Sequence, residues 1–164
     1  MTAGMYEVLV EGPVTPERAR ALCARHLGVP VYTDEELAAL PALPERYGLF
    51  EAAPDPAAGG TLVSCSVTHA RLPEWRFAAR VARGTGYRCR VPDDTANPFR
   101  WLLARPDGRV RPAHLTEEED GTVAFGVHHL CCSACAHCAA EPLCRTSRHP
   151  PDTLLVDLPG HSGG

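Results

Sequence analysis

The sequence contains no lysine: all 16 of its basic residues are arginine. A GC-rich coding sequence produces the same bias, so the number of arginines does not by itself argue for an anionic partner. The chain also lacks an apolar run long enough to span a bilayer. Its first ten residues, Met1 to Val10, carry no basic group and place Glu7 inside their only apolar run, so they do not read as a secretory leader. Net positive charge is absent too. At −4 the chain has no general attraction for nucleic acid or anionic lipid. No G-x-S-x-G, H-E-x-x-H or phosphate-binding glycine loop occurs, which removes the commonest signatures of hydrolases, zinc peptidases and nucleotide enzymes. The expected compartment is the cytoplasm. In a reducing milieu, clustered cysteines are metal ligands or redox thiols more often than a disulfide framework.

What is present is a concentration of soft ligands. Residues 128–144 read His-His-Leu-Cys-Cys-Ser-Ala-Cys-Ala-His-Cys-Ala-Ala-Glu-Pro-Leu-Cys and hold five of the eight cysteines and three of the eight histidines. Thiolates and imidazoles at this density suit zinc, an iron–sulfur cluster or Cu(I). If Leu130 to Ala140 is one helix, His128, Cys131, Cys135 and Cys138 share a face. If the segment is a knuckle loop, Cys132-x2-Cys135 is a hook that Cys138 and Cys144 complete. The expected ligands are Cys132, Cys135, Cys138 and Cys144, with His137, Cys131 and His128 as substitutes, and zinc is the expected metal. The C-x2-C-x2-C run of Cys132, Cys135 and Cys138 keeps an iron–sulfur cluster as the alternative, and Cys135-Ala136-His137-Cys138 keeps a redox dithiol.

The 164 residues suit one domain. Tyr6 to Val10 reads as a buried strand. Thr15 and Pro16 start a helix that Gly28 ends. Thr33 to Glu36 is a capping box, and Tyr47 to Ala52 and Thr61 to Val67 are strands. A helix over 73–83, closed by Gly84, leads to strands at Tyr87 to Val91, Arg100 to Ala104, near Val110, and Thr122 to Val127. The order strand, helix, strand, strand occurs twice. The expected fold is therefore α+β: a single compact domain of two β-α-β-β units (5–64 and 65–127) on one antiparallel or mixed sheet. The core spans 1–127, the Cys/His-rich metal segment 128–144, and a partly disordered tail 145–164. Ferredoxin-like and glyoxalase-like architectures use paired units of this kind, and no motif here names a family. Cys23, Cys65 and Cys89 fall on apolar faces and are expected in the core.

Charge is unevenly spread: 71–111 holds 10 arginines against 4 acids, while the segments on either side are each −5. Arg76, Arg80 and Arg83 form one helix stripe, and Arg88 and Arg90 share a strand face. Such a surface can hold phosphate or RNA. The simpler reading, which is favoured, pairs these arginines with the acidic flanks. His69 and His114, at strand ends, and Asp93-Asp94, in a turn, are the remaining acid–base candidates, and no spacing ties them together. The function expected from these features is that of a zinc-binding accessory protein whose partner is another protein, not a membrane and not, by preference, nucleic acid. A metalloenzyme or redox protein built on the same cluster is the alternative, and an RNA- or phosphate-binding module the third.

Overall fold

The computed structural model describes residues 3–55, 59–95, 100–117 and 123–160, with only the backbone of 116, 117 and 123–128. The central strand β1 (Gly4–Val10) alternates: Tyr6, Val8 and Val10 are buried, whereas Met5 and Glu7 face outward. It is thus half-exposed, not covered on both sides as its apolar composition suggests. Helix α1 (Pro16–Leu27) begins where Thr15 accepts from the Arg18 amide and ends at Gly28, whose φ of 66° is the left-handed cap. Strand β2 (Val31–Tyr32) leads into the capping-box helix α2 (Asp34–Ala38). Strands β3 (Gly48–Asp55) and β4 (Gly60–Val67) form a hairpin.

Helix α3 (Glu74–Thr85) buries Phe77, Ala78, Ala79, Val81 and Ala82. It closes at Gly86, two residues beyond the glycine that the sequence suggests. Gly84 serves the packing instead. A Cβ there would stand 2.5 Å from Leu22, so its bareness lets α1 and α3 approach. Strands β5 (Cys89–Pro92), β6 (Arg100–Ala104), β7 (Arg109–Glu117) and β8 (Val123–Leu130) follow as a meander. Two short helices, α4 (Ala136–Ala140) and α5 (Pro142–Arg145), and a last strand, β9 (Leu155–Val156) paired to β7, complete the chain.

The sheet runs β2-β3-β4-β1-β5-β6-β7-β8; β2 pairs with β3 in parallel and every other pairing is antiparallel. The fold is α+β on a mixed sheet, with both long helices packed together. The two strand–helix–strand repeats interleave: β4 lies between β1 and β3, and β1 lies between β4 and β5. This is the split β-α-β arrangement of ferredoxin-like sheets, and residues 64 and 65 fall inside β4. The core it encloses centres on Phe77, whose ring meets Tyr6 edge-on at 5.1 Å. Burying such a ring is worth about 2–3 kcal/mol. Cys23, Cys65 and Cys89 are fully buried within this core, and all eight cysteines are free thiols. Residues 118–122, which include most of the acidic turn, and 161–164 at the end of the tail lie outside the described residues.

Candidate metal centre

The site grows out of the β6-β7-β8 meander. Period-two alternation puts Val110, Pro112 and His114 of β7 on one face, and the register sets them beside Ala104, Leu102 and Arg100 of β6. Ala104, Leu102 and Val110 pack into the core under α3. His114 and Arg100 continue that row beyond it, both almost completely buried. On the other side of β7, β8 pairs Leu130 with Ala113 and runs straight into Cys131. The Cys131 amide donates to the Pro112 carbonyl at 2.9 Å, and its carbonyl accepts from the Asp152 amide at 3.2 Å. The backbone of Cys131 is thereby fixed from both sides.

Because β8 persists to Leu130, the single helix over 130–140 does not form. A turn follows, closed by the Cys135 amide on the Cys132 carbonyl at 3.2 Å, and Asp152 accepts from the Ser133 amide and hydroxyl. Helix α4 then carries Cys138. Glu141 caps the next helical turn by accepting from the Leu143 amide at 3.2 Å. Pro142, at the first position of that turn, starts α5 and brings Cys144 inward. Three thiols and one imidazole meet as a result. The ligand atoms of His114, Cys131, Cys138 and Cys144 all lie within 4.8 Å of one another, and all four residues are buried. His114 Nε2 stands 3.4 Å from the Cys138 sulfur and 3.5 Å from that of Cys144. Around a tetrahedral zinc, with sulfur at about 2.3 Å and nitrogen at about 2.0 Å, sulfur and nitrogen are about 3.5 Å apart. Those two sulfur–nitrogen separations match that spacing, and the other donor pairs lie within the 4.8 Å limit of the cluster.

The electrostatics suit a cation. Burial first, and then the neighbouring His129, Arg100 and His137, hold His114 below the usual imidazole range, so the ring stays neutral, the form that ligates. Its ring stacks on His129 at 4.9 Å and meets His137 edge-on at 6.0 Å. Burial raises the thiols of Cys131, Cys138 and Cys144, that of Cys138 to about 11, so a metal entering here displaces protons. Arg100 lies within the same shell. Its guanidinium pairs with buried Asp93, donates to the His149 carbonyl and reaches the Cys131 sulfur at 3.7 Å. Asp93 in turn accepts from the Thr95 amide and hydroxyl at 3.0 and 2.7 Å. The Asp-Asp turn thus has one member committed to this chain of contacts, while Asp94 adopts a φ of 62°.

Of the ligands expected from sequence, Cys138 and Cys144 are in the cluster, as is the substitute Cys131. Cys135 packs against it from the rim, with a thiol lowered chiefly by the Cys138 amide. Cys132 is half-buried and His137 exposed, neither within the four-donor group; the side chain of His128 lies outside the described residues. His114 is the participant that local spacing does not reveal, because it sits 17 positions before Cys131. The signal that could reveal it is the β7–β8 hairpin, which sets residue 114 opposite 129.

The arginines of the candidate phosphate surface meet acids. Arg76, Arg80 and Arg83 converge on buried Asp157 at 3.4, 3.3 and 3.3 Å. Arg88 and Arg90 meet Glu11 at 2.7 and 3.6 Å, with Arg90 also over the Trp101 ring. No helix among the described residues is long and apolar enough to cross a membrane. Comparison with protein families, with characterised proteins and with solved structures found no match to this chain.

Proposed function

We propose that the chain is a zinc protein whose Cys3His centre, formed by Cys131, Cys138, Cys144 and His114, clamps the C-terminal segment onto the sheet, and that its role is accessory or protein-interacting, not catalytic. The observation that carries this reading is the convergence of four buried soft donors within 4.8 Å. Four protein ligands fill a tetrahedral zinc and leave no position for water or substrate, which is the pattern of structural sites. Three thiolates and a neutral imidazole around Zn2+ leave one negative charge. Arg100, at 3.7 Å from Cys131, supplies its counter-charge. One histidine with three cysteines, behind a closed shell, favours zinc over an iron–sulfur cluster, whose usual set is four thiolates.

Elemental analysis of the chain purified without added metal tests the proposal. One equivalent of zinc in colourless protein is expected. It should be retained in C132S and C135S and lost in C138S. A brown protein containing iron would overturn the metal assignment. Less than half an equivalent of any transition metal, with all eight thiols titratable, would overturn the centre itself.

A further inference from the structure

A second concentration of charge lies away from the cysteines. Between the end of α1, the loop leading into β3, the end of β4 and the first turns of α3 is a cavity of 360 Å3. Arg46, Arg71, Arg76, Arg80, His26 and His69 line it, and no carboxylate does among the described residues. We propose that this cavity is a binding site for the phosphate monoester of a small molecule.

Four guanidiniums drawn from three separate stretches of chain is an arrangement with a chemical meaning. Arg76 and Arg80 are one helical turn apart on α3 and form one side, while Arg46 and Arg71 approach from loops. A planar carboxylate is satisfied by one arginine fork. A tetrahedral dianion with three free oxygens can use several forks arriving from different directions. Asp157 answers three arginines at once, Arg76, Arg80 and Arg83, which leaves a formal excess of two positive charges within that group. In a cleft with partly apolar walls such an excess focuses the field on any anion that enters. The field already registers on His26, which burial first and then Arg80 and Arg25 push down to about 4.

One polar atom also lacks a partner. His69 Nδ1 is buried without a hydrogen bond among the described residues, a cost that a bound phosphate oxygen would relieve. The cavity is at the small end of the range of about 300–1,000 Å3 for small-molecule sites, which favours a compact ligand over a polymer. Nothing in this site depends on the Cys/His centre.

The test is titration of the full chain with inorganic phosphate, followed by calorimetry and by the imidazole NMR signals of His26 and His69. Saturable binding is expected, with both rings shifting and the His26 pKa moving up. The double variant R46A/R71A, whose two side chains are exposed and whose folding is checked by its thermal midpoint, should bind at least about tenfold more weakly, as loss of charge-assisted hydrogen bonds requires. Succinate, the carboxylate probe, should bind at least about tenfold more weakly than phosphate. Absence of saturable shifts at about 10 mM phosphate, equal binding by the double variant, or succinate matching phosphate would each overturn the assignment.

Discussion

Arg100 is where the centre and the sheet meet. Fully buried, it pairs with Asp93 and touches Cys131, so one guanidinium serves a carboxylate and a thiol at once. Removing it in R100M leaves Asp93 uncompensated, an expected cost of about 3–5 kcal/mol in urea unfolding. It should also weaken zinc binding by about 10- to 100-fold in competition with a chromophoric chelator. Adding D93N should restore much of the stability and little of the affinity, because only the carboxylate's penalty is relieved. Glu74 gives a separate pH signature. Burial raises it to about 7 against the opposing hydrogen bond from the Glu7 backbone, and the charges of Asp94 and Glu7 add smaller increments to the rise. The folded chain therefore binds this proton more tightly than the unfolded chain does. The resulting stability is complete below the unfolded value of about 4.3 and is lost as pH rises through 7. E74Q should gain about 1–2 kcal/mol at pH 8 after allowance for its partial exposure, and nothing at pH 4. His26 has the opposite sign. Its folded value of about 4 lies below the unfolded one, so its contribution is present above about pH 6.5 and fades as pH falls through 4. Unfolding curves at pH 4, 6 and 8 separate the two.

Among the elements, β9 has only two residues, like β2, yet it ties several others together. Its pairing with β7 places Asp157 under α3, where it gathers Arg76, Arg80 and Arg83, while the Asp157 amide donates to the Gly108 carbonyl at 2.9 Å. D157N should cost about 1–3 kcal/mol by thermal melting, less than a fully buried pair because the arginines keep some water. Gly108 has a φ of 89°, and a Cβ there would stand 2.3 Å from the Asp157 carbonyl, so the turn and the strap require glycine together.

The elements that could be read from sequence are those fixed by neighbours along the chain. Thr15 with Pro16 and Gly28 delimits α1, Thr33 with Glu36 caps α2, and Cys89 and Val91 mark the inner face of β5. What could not be read depends on distant partners. Gly84 looks like a helix stop until Leu22 of α1 is packed on it. Arg90 and Arg100 look like surface charges until Glu11 and Asp93 arrive from the segments that follow β1 and β5. His114 looks idle until β8 turns Cys131 back over it.

For the whole molecule, the centre joins two parts of unequal robustness. The interleaved sheet with α1 and α3 holds a continuous apolar core, whereas residues 131–149 have only a small cluster of cysteines at their heart. Structural zinc can supply on the order of 10 kcal/mol at neutral pH, so on the proposed zinc reading the second part is expected to depend on the ion and the first is not. Chelation should strip hydrogen-exchange protection from the amides of α4 and α5 while those of β1 and β4 stay protected. Loss of protection throughout the chain would mean that the sheet, too, is held by the metal.

The most direct test of the centre is X-ray absorption at the zinc edge of the protein as purified. Three sulfurs at about 2.3 Å and one imidazole nitrogen at about 2.0 Å are expected, and H114A should lose the imidazole contribution. A four-sulfur shell without imidazole, unchanged in H114A, would contradict the account, because it would move the ion away from β7 and onto Cys132 or Cys135.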